Sequence, residues 1–162
     1  MITAERLREV FRYYPETGRW EWLVNIGTRA RKGNEPGWID DGRRRIRVDG
    51  HSYLSSRLAV LWMTGMWPVN EIDHEDTNKL NDRWMNLREA TRLQNAKNYR
   101  KPANNTSGLK GASWVTRDKK WRSQISVDGK KIHLGDFDCP AAAHLAYALA
   151  SAKLHGEFGR VE

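Results

Sequence analysis

The middle of the chain holds the side chains whose types and spacing could do hydrolytic chemistry. Asp73 and His74 are adjacent, Asn86 follows after eleven intervening residues, and Asn95 lies further along. Cleavage of a phosphodiester bond needs a general base that titrates near neutral pH, and histidine is such a base. Asp73 and Asn95 could offer the hard oxygen ligands that Mg²⁺ accepts. Asn86 could hold the intervening loop by hydrogen-bonding to its backbone.

The neighbouring elements are predicted to bring these residues to one loop. A short apolar start at Ile72 predicts a strand that ends at the Asp-His pair. Thr91 and Gln94 form a capping box, which predicts a helix with Asn95 in its first turn. The same residues are also compatible with a capped turn that carries a surface histidine. Residue types alone leave both interpretations open.

The N-terminal third is predicted to consist of small helices and strands. Apolar residues at i, i+3, i+4 and i+7 predict a helix that is capped by Thr3 and closed by Pro15. Short alternating runs separated by turn signals, such as Asp49-Gly50, predict strands. A second, amphipathic helix is predicted over 57–64. The residues of the first helical stripe are Leu7, Val10, Phe11 and Tyr14.

Composition points to a polyanionic partner. The 162 residues include 28 Lys and Arg against 20 Asp and Glu, a net charge of +8, and nucleic acid is the commonest polyanion that such a field attracts. The uncharged run 58–70 is too short to span a bilayer, and the N-terminus has no apolar signal core. The single Cys139 excludes a disulfide framework. We therefore expect an intracellular, soluble protein.

The Asp73-His74, Asn86-Leu87 and Asn95 run resembles the HNH (ββα-metal) endonuclease motif of phage homing endonucleases. The resemblance implies that His74 is the general base and that Asn86 is a catalytic-site residue that braces the loop. It implies that Asp73 and Asn95 bind a divalent metal ion, for which Mg²⁺ is expected.

The segment 53–62 resembles the helix that leads into this motif in the same enzymes. A histidine usually precedes the Arg-Leu pair there, and this chain has Ser56 before Arg57. We predict that Arg57 contacts DNA.

The C-terminal third is predicted to be three antiparallel strands and one helix. The strands are predicted at Ala112–Val115, Trp121–Val127 and Lys131–Leu134, and the helix is predicted to begin at Pro140 and to end at Gly156. On the helix one side is predicted to face the sheet. That side comprises Ala142, Leu145, Ala146, Leu149 and Leu154.

Four motifs in this part resemble the plant ethylene-response-factor (AP2-type) DNA-binding domain, which phage HNH nucleases often carry at their C-terminus. They are Ser107-Gly-Leu-Lys-Gly-Ala-Ser-Trp114, Lys120-Trp-Arg122, Ile132-His-Leu-Gly-Asp-Phe137 and Ala141-Ala-Ala-His-Leu-Ala-Tyr147. The resemblance implies that the sheet enters the major groove of DNA.

Strand alternation sorts the predicted sheet into an apolar and a polar face. Arg and Gln side chains can read guanine and adenine edges, while Lys positions phosphates. A solvated polar face is the alternative. The predicted DNA-binding residues here are Ser113, Lys119, Arg122, Gln124, Ser126, Lys131 and His133.

We therefore predict an α+β protein in three parts. Residues 1–100 form small strands and helices that lead into a ββα-metal HNH motif with its core at 53–100. Residues 101–107 are a linker, and residues 108–162 form a three-stranded antiparallel sheet packed on one helix.

The resemblances imply a metal-dependent HNH endonuclease that cleaves double-stranded DNA, homing in type and nicking in mode. It would act in the cytoplasm of a phage-infected bacterial cell, with no membrane and no small-molecule substrate. The alternative is a sequence-specific DNA-binding regulator whose HNH segment is degenerate and inactive. A monomer and a homodimer both remain compatible with the sequence.

Overall fold

The chain divides into two units, Met1–Thr91 and Arg92–Glu162. The computed structural model describes residues 1–28, 30–98 and 105–161. Both units combine helices with antiparallel sheets, so the predicted α+β class is confirmed. Among the described residues, no helix combines the length and the apolar character needed to cross a membrane.

In its described residues, 1–28 and 30–91, the first unit contains two α-helices and three small antiparallel sheets. The sheets pair β1 with β2, β3 with β4 and β5, and β6 with β7. A 3₁₀ turn at Trp84–Asn86 precedes β7. The elements are α1 (Ala4–Val10), β1 (Phe11–Tyr14), β2 (Arg19–Trp22), β3 (Trp38–Asp40), β4 (Arg43–Val48), β5 (His51–Leu54), α2 (Ser55–Thr64), β6 (Glu71–His74) and β7 (Leu87–Ala90).

One hydrophobic core lies between α1, α2, the β1–β2 hairpin and β4. Leu7, Trp20, Ile46 and Leu58 are each fully buried in this cluster. Thr3 caps α1 as predicted, because its Oγ1 accepts the backbone N–H of Arg6 at 3.2 Å. The elements that precede the predicted catalytic segment therefore supply the core on which it packs.

The prediction that the first helix continues to Tyr14 is wrong. The helix ends at Val10, and the next four residues form β1, which pairs with β2. The amides of Thr17 and Gly18 both donate to the Tyr14 carbonyl and close a tight turn. The turn brings aromatic rings of the two strands together, and burying these rings outweighs one more helical turn. The cross-strand pairs are Phe11 with Trp22 and Tyr13 with Trp20.

The second unit contains a three-stranded antiparallel sheet and a long helix. The strand order is β10-β9-β8, and the helix packs on one face of the sheet. Ser123 and Ile125 on the central strand are buried on that face, which agrees with the predicted alternation. The elements are α3 (Arg92–Lys97), β8 (Ala112–Val115), β9 (Lys120–Val127), β10 (Lys130–Phe137) and α4 (Pro140–His155).

The face of α4 that packs on the sheet differs from the prediction. Leu145 and Leu149, which were expected to face inward, are 60% and 66% exposed. The buried stripe is instead Ala143, Tyr147 and Ser151, spaced four residues apart. Ala143 and Ser151 are small, so the helix can approach the sheet closely, and the Tyr147 ring lies against Gly111, where an added Cβ would come within 2.1 Å of it.

The division between the units lies at a different place from the predicted domain boundary. Helix α3 belongs to the second unit, although its residues were assigned to the nuclease region. Asn105 and Ser107, assigned to the linker, both hydrogen-bond to the Leu109 carbonyl in the second unit. Residues 101–104 of the predicted linker lie outside the described residues.

Gly18 is predicted to be indispensable for the first unit. Its φ is +72°, and a Cβ added there would lie 2.4 Å from the Asp82 carbonyl carbon. Gly50 has a similar φ of +80° and open space around it. Gly50→Ala should therefore cost about 1–2 kcal/mol of unfolding free energy from left-handed strain alone. Gly18→Ala should cost clearly more, as measured by urea denaturation.

Equal losses for the two variants would contradict the close approach of Gly18 to Asp82. A larger loss at Gly18 is expected because backbone atoms, unlike a flexible side chain, cannot move aside cheaply.

Candidate functional site

Asp73 forms an ion pair across the β6–β7 ribbon. It lies directly opposite Arg88, whose Nε and Nη2 both reach Asp73 Oδ2 at 2.9 Å. The Asp73 side chain is only 5% exposed. A buried carboxylate needs such a partner, because its desolvation is otherwise uncompensated.

His74, the next residue, forms a buried pair with Asp82. The His74 Nε2 atom lies 2.9 Å from Asp82 Oδ1, and both side chains are less than 5% exposed. An ionised carboxylate only accepts hydrogen bonds, so Nε2 carries the proton and donates it. In the neutral imidazole the lone pair then belongs to Nδ1. Asp82 thus selects the tautomer in which Nδ1 is the basic nitrogen.

The loop between the two strands is braced by Asn86. Its Oδ1 accepts the Asp76 amide at 3.0 Å, and its Nδ2 donates to Asp76 Oδ1 at 3.0 Å and to the Asn81 carbonyl at 2.7 Å. The Asn86 carbonyl also accepts the amide of Glu75. One amide side chain therefore ties both sides of the loop together.

Asp76 is the charged centre of this loop. Burial raises the pKa of Asp76, but the side chains of Asn81 and Asn86 and the backbone of Asn78 donate hydrogen bonds to it and hold its pKa below the usual range. A lowered pKa in the folded state stabilises the fold above the unfolded value near 4. This contribution disappears as the pH falls through the folded pKa.

The β1–β2 hairpin holds the Asp82 segment from the other side. The Tyr13 hydroxyl donates to the Asp82 carbonyl at 2.5 Å, and the Trp84 amide donates to the Pro15 carbonyl at 2.9 Å. Burial is the main reason why the pKa of Tyr13 lies above its usual range, so the hydroxyl stays protonated and remains a donor. The hairpin therefore fixes the carboxylate that orients His74.

Arg57, Ser56 and Asn95, which the sequence also singled out, lie outside the loop that Asn86 braces. Arg57 donates to the Asn70 and Pro68 carbonyls at 2.8 Å each, so its guanidinium holds the loop after α2. Ser56 is buried in α2. Asn95 lies in α3, in the other unit. A DNA contact by Arg57 and a metal bond by Asn95 remain predictions.

The polar face of the second unit brings several predicted residues into cross-strand rows. Gln124 lies opposite His133, and Ser126 lies opposite Lys131. A shallow depression of about 250 Å³ is bordered by Ser113 together with Gln124, Ser126 and Lys131. Lys119 lies in the β8–β9 turn, where its φ is +47°.

Arg122 on the same face is held by carboxylates. Its Nε and Nη2 contact the two oxygens of Asp136 at 2.8 and 3.0 Å, and Nη2 is 3.2 Å from Asp118. The hydrogen bonds from Arg122 are the main reason why the pKa of Asp136 is below its usual range. The Asp136 carboxylate is therefore ionised at neutral pH. A nucleobase of DNA could hydrogen-bond to the Arg122 guanidinium only by displacing this carboxylate.

A metal ion in a protein is usually held by a cluster of imidazole, thiol and carboxylate side chains. Residues 1–28, 30–98 and 105–161 contain no group of three His, Cys, Asp or Glu side chains placed to hold an ion. A divalent cation bound by Asp73 therefore stays a prediction.

Sequence reasoning did not identify Asp82, Arg88 and Asp136 as partners of the predicted residues. In the sequence, Asp82 resembles an ordinary turn-forming residue beside Asn81. Arg88 resembles an ordinary basic residue of the protein surface. Asp136 follows a glycine at a bulge in β10, which hides its register with Arg122. Strand alternation around the Asp-His pair could have found Arg88, because it lies directly opposite Asp73.

Comparison with known proteins identifies a family model and relatives of this chain. The family model described as HNH endonuclease matches residues 53–97. "Protein 3.8" of Escherichia phage T7 is 36% identical over 103 residues, which cover 62% of this chain and 84% of that protein. The "AP2-like ethylene-responsive transcription factor TOE2" of Arabidopsis thaliana is 37% identical over 60 residues, 37% of this chain and 12% of that protein. No solved structure matches significantly.

Asn86→Ala is predicted to loosen the loop between β6 and β7. The variant loses three side-chain hydrogen bonds, at a cost of about 1–3 kcal/mol. The Asp76 amide should exchange with deuterium at least tenfold faster, as measured by NMR. Asn78→Ala is the matched control, because the Asn78 side chain accepts one local bond from Leu80. Equal exchange in the two variants would contradict the bracing role of Asn86.

Proposed function

The chain belongs to the family of Protein 3.8 of Escherichia phage T7 and contains an HNH endonuclease domain at residues 53–97, and from this premise we propose that it is a metal-dependent endonuclease of double-stranded DNA. The observation that carries the proposal is the buried His74–Asp82 pair, which prepares one imidazole nitrogen to act as a base. Cleavage of one strand by each chain, in the manner of a homing enzyme, is the mode that we propose.

His74 is the general base of the proposed reaction. Nδ1 takes a proton from the attacking water, and the carboxylate of Asp82 stabilises the imidazolium that forms. Asp82 touches neither water nor phosphate in this scheme and is a positioning residue. Asn86 keeps the loop that connects the two in place.

Asp73 is the residue of the first unit that would hold the divalent cation. One carboxylate with water and phosphate oxygens is a common ligand set for Mg²⁺, whereas zinc sites need several nitrogen or sulfur ligands. The donor set therefore fits Mg²⁺, with Asn95 as the second predicted ligand. The bound cation would neutralise charge that develops on the scissile phosphate.

The sheet of the second unit is the proposed DNA-binding module. Its support is the likeness to the plant transcription factor and the polar rows on its free face. In this proposal Arg122 and Gln124 read bases, while Lys119 and Lys131 contact phosphates. Ser113, Ser126 and His133 border the same surface.

His74→Ala is predicted to lower plasmid nicking in Mg²⁺ by about 10²–10⁴-fold, the usual contribution of a general base. Binding to DNA should persist, because the phosphate contacts remain. Nicking should stop when EDTA removes the metal from the wild-type protein. Nicking by His74→Ala within a few-fold of wild type would exclude His74 as the base.

Asp82→Asn provides a graded companion to this experiment. An amide can still accept from Nε2 but carries no charge to stabilise an imidazolium, so kcat should fall by about 10–100-fold with little change in KM. Wild-type protein that binds DNA tightly and never nicks it, in any divalent metal, would favour the DNA-binding regulator instead.

Arg122 and Lys131 are predicted to differ in what they contribute to binding. Arg122→Ala should reduce discrimination between target and scrambled duplexes by about 1–3 kcal/mol. Lys131→Ala should weaken both complexes equally and lower the salt slope by about one. Binding of each variant to both duplexes across a salt series measures the difference.

Asp136→Asn tests the same surface with a variant that is expected to strengthen DNA binding. It removes the carboxylate that competes with DNA for Arg122, so both duplexes should bind several-fold more tightly. Unchanged binding in Asp136→Asn together with unchanged discrimination in Arg122→Ala would exclude Arg122 from the interface.

A further inference from the structure

Arg88 lies between two carboxylates that differ in exposure. Its Nε and Nη2 are 2.9 Å from Asp73 Oδ2, and its Nη1 is 3.3 Å from Glu75 Oε1. The Asp73 side chain is 5% exposed, whereas the Glu75 side chain is 57% exposed. Arg88 therefore shares one guanidinium between a buried and a solvated partner.

The contact with Asp73 is built into the strand register. Arg88 and Asp73 are directly opposed in the antiparallel β6–β7 pair, where side chains of opposed residues meet on one face. The Arg88 side chain is itself only 16% exposed, so little water screens the pair. The register thus presents a positive charge to this carboxylate in every folded molecule.

A divalent cation on Asp73 would compete with that charge. Arg88 makes two of its bonds to the same oxygen, Oδ2. Two positive charges on one carboxylate repel strongly where water is excluded. Glu75, which Nη1 already contacts, offers the guanidinium a second carboxylate.

We propose that Arg88 is the counter-ion of Asp73 in the metal-free protein and shifts to Glu75 when a divalent cation binds Asp73. Arg88 then sets the affinity of the site for the cation. The inference rests on the proposed function, because the cation is part of that proposal. The ion pair would control metal loading, because the affinity of Asp73 for the cation stays low until the Arg88 guanidinium moves to Glu75.

Mn²⁺ titration of the DNA-free protein, followed by electron paramagnetic resonance, tests the proposal. Arg88→Gln should bind Mn²⁺ about tenfold more tightly than wild type, since the competing charge is gone. Arg88→Lys keeps the charge and should stay within a few-fold of wild type. Arg83→Gln is the matched control, because it removes one exposed charge from the same loop and should leave the affinity unchanged.

Thermal unfolding supplies a second readout. Without metal, Arg88→Gln should melt several degrees below wild type, because a neutral amide replaces the charge opposite Asp73. Saturating Mn²⁺ should restore more of this loss than it adds to the stability of wild type. Asp73→Asn should abolish the Mn²⁺ effect in both backgrounds.

Equal Mn²⁺ affinity of Arg88→Gln, Arg83→Gln and wild type would overturn the proposal. So would an equal gain in both glutamine variants, which would indicate general charge repulsion only. These outcomes are separate from a failure of the proposed nuclease function, which would appear as absent nicking while the Mn²⁺ measurements remain unaffected.

Discussion

Three ionisable side chains are buried around the loop of the HNH domain, and each requires a partner inside the protein. The side chains of Asp73, His74 and Asp82 are each no more than 5% exposed. Leaving such a group unpaired would cost several kcal/mol, a large part of the stability of an ordinary domain. The strand register, the braced loop and the N-terminal hairpin all serve this requirement, since each holds one of the partners in position.

The sequence allowed prediction of those features that depend on local patterns. The strand that ends at the Asp-His pair, the helix after Thr91 and the three C-terminal strands all follow from periodicity, caps and turn residues. The partners of the predicted site residues could not be read in the same way. Asp82 and Arg88 matter because of contacts that the folded loop creates, and their residue types are ordinary in a turn and on a surface.

The two wrong predictions of the fold have one physical cause. In α1 and α4, apolar residues recur at helical spacing, and periodicity alone assigned them to a buried face. In the first case, aromatic pairing across a tight turn competes with the helix and converts Phe11–Tyr14 into a strand. In the second case, the face of α4 that packs on the sheet carries Ala143, Tyr147 and Ser151, and the leucines lie outside it. Periodicity identifies an amphipathic segment, but the neighbouring surface decides which side is buried.

The contacts of the β1–β2 hairpin with the loop also bear on how such domains are exchanged between genomes. The segment that defines the family, residues 53–97, is not self-sufficient, because Tyr13, Pro15 and Gly18 support the backbone at 82–84. Recombination that imported the family segment alone would separate His74 from the scaffold that orients it. Inheritance of residues 1–97 as one block is therefore the arrangement that keeps the hairpin together with every predicted residue of the nuclease site, and crossover points should be rare at the N-terminal edge of the motif.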